Sequence, residues 1–180
     1  MVKFAYITGW RIPSEVLTLQ WRQVDFEART VRLDPGTTKN REGRVFPFTD
    51  DLKVLLEAQR TLTDMYQREA DKICPWVFHR SGKPIKDYRG AWRAATTAAG
   101  CPGRIPHDFR RTAVRNLVRA GVPERVAMML TGHKTRSVFE RYNIVSGGDL
   151  LDAARKLDAS NAGTFSGTVE PEARSAQPTR

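Results

Sequence analysis

Acidic residues are the minority charge in this sequence. Against 30 lysines and arginines stand 20 aspartates and glutamates, a formal net charge of +10. Nowhere do the carboxylates form a convincing cluster of the kind that holds a divalent ion. Asp50-Asp51 and the scattered glutamates read as helix-start and surface charges. The sequence therefore offers no metal-held route to phosphate chemistry, and its basic surface is of the kind that attracts polyanions. Nucleic acid is the favoured partner, with an anionic membrane surface as the weaker rival. Cysteine is scarce as well. Cys74 and Cys101 form neither a CxxC pair nor a disulfide framework, so a reduced, cytoplasmic setting is expected. No stretch is long and apolar enough to span a bilayer. The opening Met1-Val2-Lys3-Phe4-Ala5-Tyr6 lacks the apolar core of a signal peptide. Internal repeats are missing too.

What is present is enough for one domain with a real core: 180 residues, 40% hydrophobic and 9% aromatic. The first residues read as the end of a helix closed by Thr8-Gly9, and Pro13 suits the first turn of a new one. Val24-Asp25-Phe26, Thr30–Leu33 and Arg44–Phe48 are short strand candidates rich in β-branched and aromatic residues. The polar, turn-rich stretch from Asp34 to Gly43 lies between the last two, so a small antiparallel sheet with a long, mobile hairpin tip is expected. The rest reads as helix. Thr49 caps a helix with Asp50 and Asp51 in its first turn and Leu52, Leu55, Leu56, Leu62, Met65 and Tyr66 as its apolar face. Pro75–Phe78 is a short extended piece, Ser81–Pro84 a turn, and His79 a structural residue beside it. Helices are expected from Tyr88 to Ala99, from about His107 to Ala120, and from Pro123 to near Gly132. Ser137–Glu140 has capping-box spacing, which puts Tyr142 on the helix that follows. After Gly147-Gly148 a last short helix, Asp149 to Leu157, presents Leu150, Leu151, Ala154 and Leu157 as a face expected to dock on the core, in cis or onto a neighbour. From Ala159 onward large apolar residues all but vanish. The reading is an α+β fold, mainly α, over residues 1–158 with a small three-stranded antiparallel sheet at one edge, and a disordered tail over 159–180.

Cleaving a phosphodiester needs a nucleophile, positive charge on the phosphoryl oxygens and an acid for the leaving oxygen. Without a metal, arginines supply the charge, because a guanidinium holds two phosphate oxygens at once and stays protonated. Four segments carry suitable groups: Thr8-Gly9-Trp10-Arg11, Lys39 at the hairpin tip, Pro106–Thr112, and Leu130–Lys134 with Tyr142 beyond it. His107 and Arg110 are three apart and share one face of a helix. Each segment alone is weak, since a lone Arg is ordinarily a solvated surface group and a lone Tyr a core residue.

In order, however, they form Arg, then Lys in a β-hairpin, then His-x-x-Arg, then Gly-His, then Tyr. That set resembles the tyrosine recombinase family, the phage-type integrases, from about Tyr6 to Leu157. Thr8–Leu17 resembles the family's first arginine box, Thr38-Lys39-Asn40 with Arg44–Pro47 its lysine hairpin, and His107–Thr112 with Thr131–Lys134 its second box. The resemblance implies the tyrosine recombinase catalytic fold and a set of roles. Arg11 and Arg110 clamp the scissile phosphate, and Lys39 protonates the leaving 5′ oxygen. His107 exchanges a proton with the tyrosine, and His133 hydrogen-bonds a phosphate oxygen. Tyr142 attacks to form a 3′-phosphotyrosine. No metal and no cofactor are implied; the partners are double-stranded DNA and other recombinase protomers in a synaptic complex, with no membrane involved. A free tyrosine has a pKa of about 10 and needs a nearby base and a positive field.

The sequence departs from the family pattern in two places. Many members carry an acidic residue three positions after the first arginine; here Ser14 stands there, with Glu15 one further, and the Pro13 insertion can rotate it back into reach, though no role is assigned to it. The family also places helices and a separate DNA-binding domain ahead of the first box. Here the chain begins almost at Arg11, with the expectation that those parts are missing and that apolar surface around Phe4, Tyr6 and Trp10 is exposed. Three readings follow: a site-specific recombinase, a truncated integrase remnant that binds DNA without completing recombination, and a topoisomerase-like relaxing enzyme.

Overall fold

The computed structural model describes residues 1–36, 42–143 and 145–161. Of the expected disordered tail over 159–180, residues 162–180 lie outside these residues, as does the Lys39 hairpin tip; its first three residues, 159–161, are instead helical. Helix α1 (Val2–Thr8) ends at Gly9, which adopts the left-handed conformation (φ 67°) and returns its N–H to the Ala5 carbonyl. Gly9 is required twice over, because a Cβ there would also press against Ala113 Cβ at 3.0 Å and Thr131 Cγ2 at 3.3 Å. Three segments of the chain thus converge just ahead of Arg11.

The sheet follows the expected order. Strands β1 (Val24–Asp25), β2 (Thr30–Leu33) and β3 (Arg44–Pro47) pair antiparallel, with Val31 opposite both Val24 and Phe46, and Leu33 opposite Arg44. One face is buried, as the alternation demands: Val31, Leu33 and Phe46 point into the core while Arg32 and Val45 face out. The core is tied by edge-to-face aromatic contacts, Phe4 with Trp10 at 5.6 Å, Phe4 with Phe78 at 5.7 Å and Trp10 with Phe46 at 6.4 Å. Phe4 and Trp10 are therefore buried, contrary to the exposure expected at this end; of the three residues only Tyr6 is exposed. Tyr6 packs edge-on against Phe109 of α4 (Asp108–Arg119) at 6.4 Å.

Helix α2 (Asp50–Ala70) is capped by the Thr49 hydroxyl, which accepts from the Leu52 N–H. Its buried stripe is Leu52, Leu56 and Thr63, whereas Leu62 and Met65 are half or more exposed. The expected face was too wide: Leu62 and Met65 stand to one side of the line that 52, 56 and 63 trace. Thr63 is accepted inside because its hydroxyl donates to the Gln59 carbonyl and pairs with His79 Nε2. The Pro75–Phe78 piece hydrogen-bonds along residues 19–21 and leads into a two-residue hairpin, β4 (His79–Arg80) and β5 (Lys83–Pro84). His79 Nδ1 accepts the Gly82 N–H, so its place is structural, as expected.

Helices α3 (Arg89–Ala98), α4, α5 (Glu124–Thr131) and α6 (Arg136–Glu140) complete this unit. A second small core of Val114, Ala127 and Phe139 joins the last three, with Tyr142 packed against it. The cap of α6 is Thr135 rather than Ser137, and the helix ends at Glu140. Tyr142 consequently lies in the turn beyond the helix, not on it, with its N–H on the Phe139 carbonyl.

Residues 145–161 belong to a separate unit. Its helix α7 (Gly147–Asn161) begins two residues earlier than expected, because Ser146 and Asp149 close a cap over its first turn. Leu150, Leu151, Ala154 and Leu157 are all exposed. Among the described residues no helix is long and apolar enough to cross a membrane.

Candidate active site

Arg11, in extended conformation after Trp10, leads into a five-residue π-helical turn, Ile12–Val16. A π turn holds one residue more than an α turn, so it absorbs a single insertion. That is the consequence of Pro13: the extra residue widens the turn and returns Glu15 to Arg11. One Glu15 oxygen, Oε2, accepts the Arg11 backbone N–H at 2.8 Å; the other, Oε1, accepts Arg11 Nη1 at 2.8 Å. Glu15 is fully buried. An isolated carboxylate there would be costly, and the cations around it offset that cost.

Arg110, on the first turns of α4, is 2% exposed. Its Nη1 donates to the Gly9 carbonyl at 2.7 Å and its Nε donates to His133 Nε2 at 3.2 Å. Nη2 is buried and has no partner among the described residues. A guanidinium pinned on two sides with its third nitrogen unsatisfied is what an anion site requires. Burial first, and then neighbouring Arg11, pull the Arg110 pKa down to about 10, and Glu15 opposes the fall. It remains a cation at neutral pH.

His133 follows Gly132, the left-handed C-cap of α5. Because Arg110 Nε can only donate, His133 Nε2 must accept. Nδ1 therefore carries the proton and donates to Thr131 Oγ1 at 2.8 Å, whose own hydroxyl donates to the Ala127 carbonyl at 2.7 Å. Burial, reinforced by Arg110, Arg11 and Arg44, pushes the ring down to about 3. With Nε2 so engaged, donating to a phosphate oxygen requires the proton to move to the other ring nitrogen when substrate binds.

His107 precedes the first turn of α4, and its Nε2 lies 2.7 Å from Tyr142 Oη. Desolvation, and then Arg110, Arg11 and Arg111, hold the ring below the ordinary histidine value against the opposing pull of Asp108. A neutral imidazole at this distance accepts the phenol proton. The Tyr142 ring also lies 4.8 Å from the His133 ring, with the Arg110 guanidinium 6.0 Å from its centroid. Arg11, His107 and Arg110 line one recess of about 290 Å³ with Tyr88 and Pro106.

Five of the six residues singled out from sequence, Arg11, His107, Arg110, His133 and Tyr142, are thereby brought together; Lys39 lies outside the described residues. Two more were not assigned roles. Glu15 stands one position off the family spacing, and the π turn over Ile12–Val16 returns it to Arg11, the rotation that the Pro13 insertion allows. Arg44 went unnoticed beside the lysine hairpin. Its signal was present: it shares the inward face of β3 with Phe46, and a charged residue in that register needs a buried partner.

Comparison with known proteins places this geometry in a family. The family model described as "Phage integrase family" matches residues 1–147. The integrase of Salmonella phage P22 is 28% identical over 163 residues, covering 88% of this chain and 42% of that protein. The crystal structure of XerA recombinase superposes with a TM-score of 0.68 at 18% identity, covering 85% of this chain and 55% of that one. The Tn1549 transposon integrase in complex with transposon right end DNA gives 0.67 at 20% identity, over 90% of this chain and 58% of that one. The chain spans about half or less of the length of the curated relatives it matches. With the family model covering the two arginines, both site histidines and the tyrosine, this chain belongs to the phage integrase family.

Proposed function

We propose that this chain is the catalytic part of a site-specific DNA recombinase that cuts and rejoins strands through a 3′-phosphotyrosine. The observation that carries the reading is the 2.7 Å approach of His107 Nε2 to Tyr142 Oη beside the unsatisfied Nη2 of Arg110. Arg11 and Arg110 hold the non-bridging oxygens of the scissile phosphate. Tyr142 Oη attacks phosphorus while its proton passes to His107. The bond from phosphorus to the 5′ oxygen breaks, and Lys39 supplies the proton that makes the leaving group a free 5′ hydroxyl. The DNA 3′ end is left esterified to Tyr142. A 5′ hydroxyl from another strand then attacks that ester and gives its proton to Lys39, while the bond from phosphorus to Tyr142 Oη breaks and His107 returns the phenol proton. His133 holds Arg110 in the free protein and, with its proton moved to Nε2, donates to a phosphate oxygen in the complex. Each step exchanges one phosphate ester for another, so no energy source is consumed.

The partners are double-stranded DNA and further copies of the chain, with the Leu150, Leu151, Ala154 and Leu157 face of α7 offered to a neighbouring copy; the setting is the cytoplasm. The test is covalent trapping. The protein is incubated in EDTA with a library of nicked duplexes that shed the 5′-hydroxyl fragment on cleavage. A denaturant-resistant adduct from the wild type, and none from Tyr142→Phe, is the expected result. Salt-sensitive DNA binding without an adduct would replace this reading with a protein that only binds DNA.

A further inference from the structure

Arg44 takes no part in the steps above, yet its side chain is only 7% exposed. Taking a guanidinium out of water is unfavourable, and burial holds its pKa below the ordinary arginine value. The compensation is specific. Nη2 donates to Glu15 Oε1 at 2.6 Å and Nη1 donates to the Thr131 carbonyl at 2.7 Å. The guanidinium carbon stands 5.6 Å from the centroid of the Trp10 ring. A Cβ at position 132 would overlap Arg44 Nη1, so Gly132 leaves room for this side chain as well as adopting φ 72°. One guanidinium therefore joins the first residue of β3, the carboxylate that holds Arg11, and the end of α5 from which His133 emerges.

The decisive detail is the sharing of a single oxygen. Glu15 Oε1 accepts from Arg44 Nη2 at 2.6 Å and from Arg11 Nη1 at 2.8 Å. Wherever Arg44 holds that oxygen, the Arg11 guanidinium must follow. Arg44 is itself anchored at Thr131, two residues before His133, the ring that orients Arg110. The positions of the two arginines are thus set against a common reference.

We propose that Arg44 is a positioning residue of the phosphate clamp, acting through Glu15 to fix the Arg11 guanidinium. This rests on the reading of Arg11 and Arg110 as phosphate ligands. It differs from a role in stability alone because its effect must vanish when Glu15 is removed.

The full chain is compared as wild type, Arg44→Met, Glu15→Gln, the double variant and Gly132→Ala. The double variant leaves no charge of this pair unpartnered, and Gly132→Ala keeps the charge but displaces it. Misplacement of a reacting group by about 1 Å costs on the order of 100-fold. Arg44→Met is accordingly expected to slow adduct formation at saturating nicked duplex by roughly 30- to 100-fold. In the Glu15→Gln background the same change should cost less than about 3-fold, the non-additivity of residues acting as one unit. Gly132→Ala should match Arg44→Met. Equal costs of Arg44→Met in both backgrounds, or a Gly132→Ala variant that behaves as wild type, would overturn the proposal. A second measurement needs no turnover: the Nε–H nuclear magnetic resonance signals of Arg11 and Arg110 during titration with inorganic phosphate. Both should respond in the wild type, and only Arg110 in Arg44→Met. A variant in which both respond, or neither does, contradicts positioning through Arg11. The expected phosphate response without any wild-type adduct would defeat the cleavage mechanism and leave the positioning role standing. An adduct with additive costs would do the reverse. No phosphate response even in the wild type would remove the clamp and this proposal together.

Discussion

At the scale of single residues, His133 shows how a buried imidazole becomes a fixed part. Its two nitrogens are committed in opposite senses, Nδ1–H toward Thr131 and Nε2 receiving Arg110, and protonation would set an N–H against the Arg110 N–H. The folded ring titrates at about 3, below the 6.5 of a free histidine. The unfolded chain therefore takes up this proton first as pH falls. The stabilisation is complete above about pH 6.5 and is lost progressively from there down toward about pH 3. His133→Gln, which has no titrating ring, should flatten this slope. Urea unfolding at pH 7, 6, 5 and 4 measures it: the wild type should lose stability more steeply than the variant over that interval. Parallel profiles would mean that the ring is not held neutral by its surroundings. His107 sits differently, with Nε2 on the phenol, and its lowered pKa leaves it a base at neutral pH.

At the scale of elements, the first arginine box depends on the shape of one turn. Successive residues on a helix advance by about 100°, so a one-residue insertion ought to swing Glu15 away from Arg11. The π turn over Ile12–Val16 takes up that residue, and both Glu15 oxygens meet Arg11. A second insertion has no such outlet. Placing an alanine between Pro13 and Ser14 should rotate the carboxylate out of the site, and deleting Pro13 should restore an ordinary turn that still delivers it. The expected adduct yields are a loss of roughly 100-fold or more for the insertion and a change of only a few-fold for the deletion. Equal losses in both would show that the turn matters for folding and not for aim. The same turn marks where sequence reasoning stops. The strands, Gly9, the Thr49 cap and the order of the helices were legible because each follows from local chemistry: alternation, positive φ, a hydroxyl before two aspartates. The set of Arg11, His107, Arg110, His133 and Tyr142 was legible as an ordered pattern. Glu15 was legible only as a residue that the Pro13 insertion could return to Arg11, because the residue count does not say which turn forms; Arg44 was not legible, because what it does depends on segments 29 residues apart meeting at one oxygen. Leu62 and Met65 misled for the opposite reason, since hydrophobic identity alone does not say which side of a long helix finds a partner. Tyr142 was placed a step too far into a helix because Ser137 and Thr135 both suit a cap, and the backbone chose Thr135.

At the scale of the whole molecule, the charge divides into two populations that respond to salt differently. A formal +10 lies mostly on exposed side chains, among them Arg80, Lys83, Lys86 and Arg89 around the β4–β5 hairpin and the start of α3. Exposed charges separated by more than about 10 Å are largely screened at 0.1 M salt. Contacts of this kind with DNA also release bound counterions, which makes affinity fall steeply as salt rises. The cations of the site are of the other sort. Arg110 is 2% exposed, and Arg11, 26% exposed, is ion-paired to the fully buried Glu15, so each is held by partners within the protein. Buried interactions are screened far less, so once DNA is seated the clamp should be nearly blind to bulk ions. Binding and chemistry are therefore expected to separate. With Tyr142→Phe, which leaves the bound complex uncleaved, affinity for duplex measured by fluorescence anisotropy should drop by about 100-fold or more between 50 and 200 mM salt. The single-turnover rate of wild-type adduct formation, with DNA raised to saturation at each salt concentration, should change by less than about threefold over the same range. A rate that fell in step with affinity would mean that the phosphate is held by solvent-exposed cations and not by the buried arginines. Affinity that stayed flat would mean that the basic surface is not where the duplex lies.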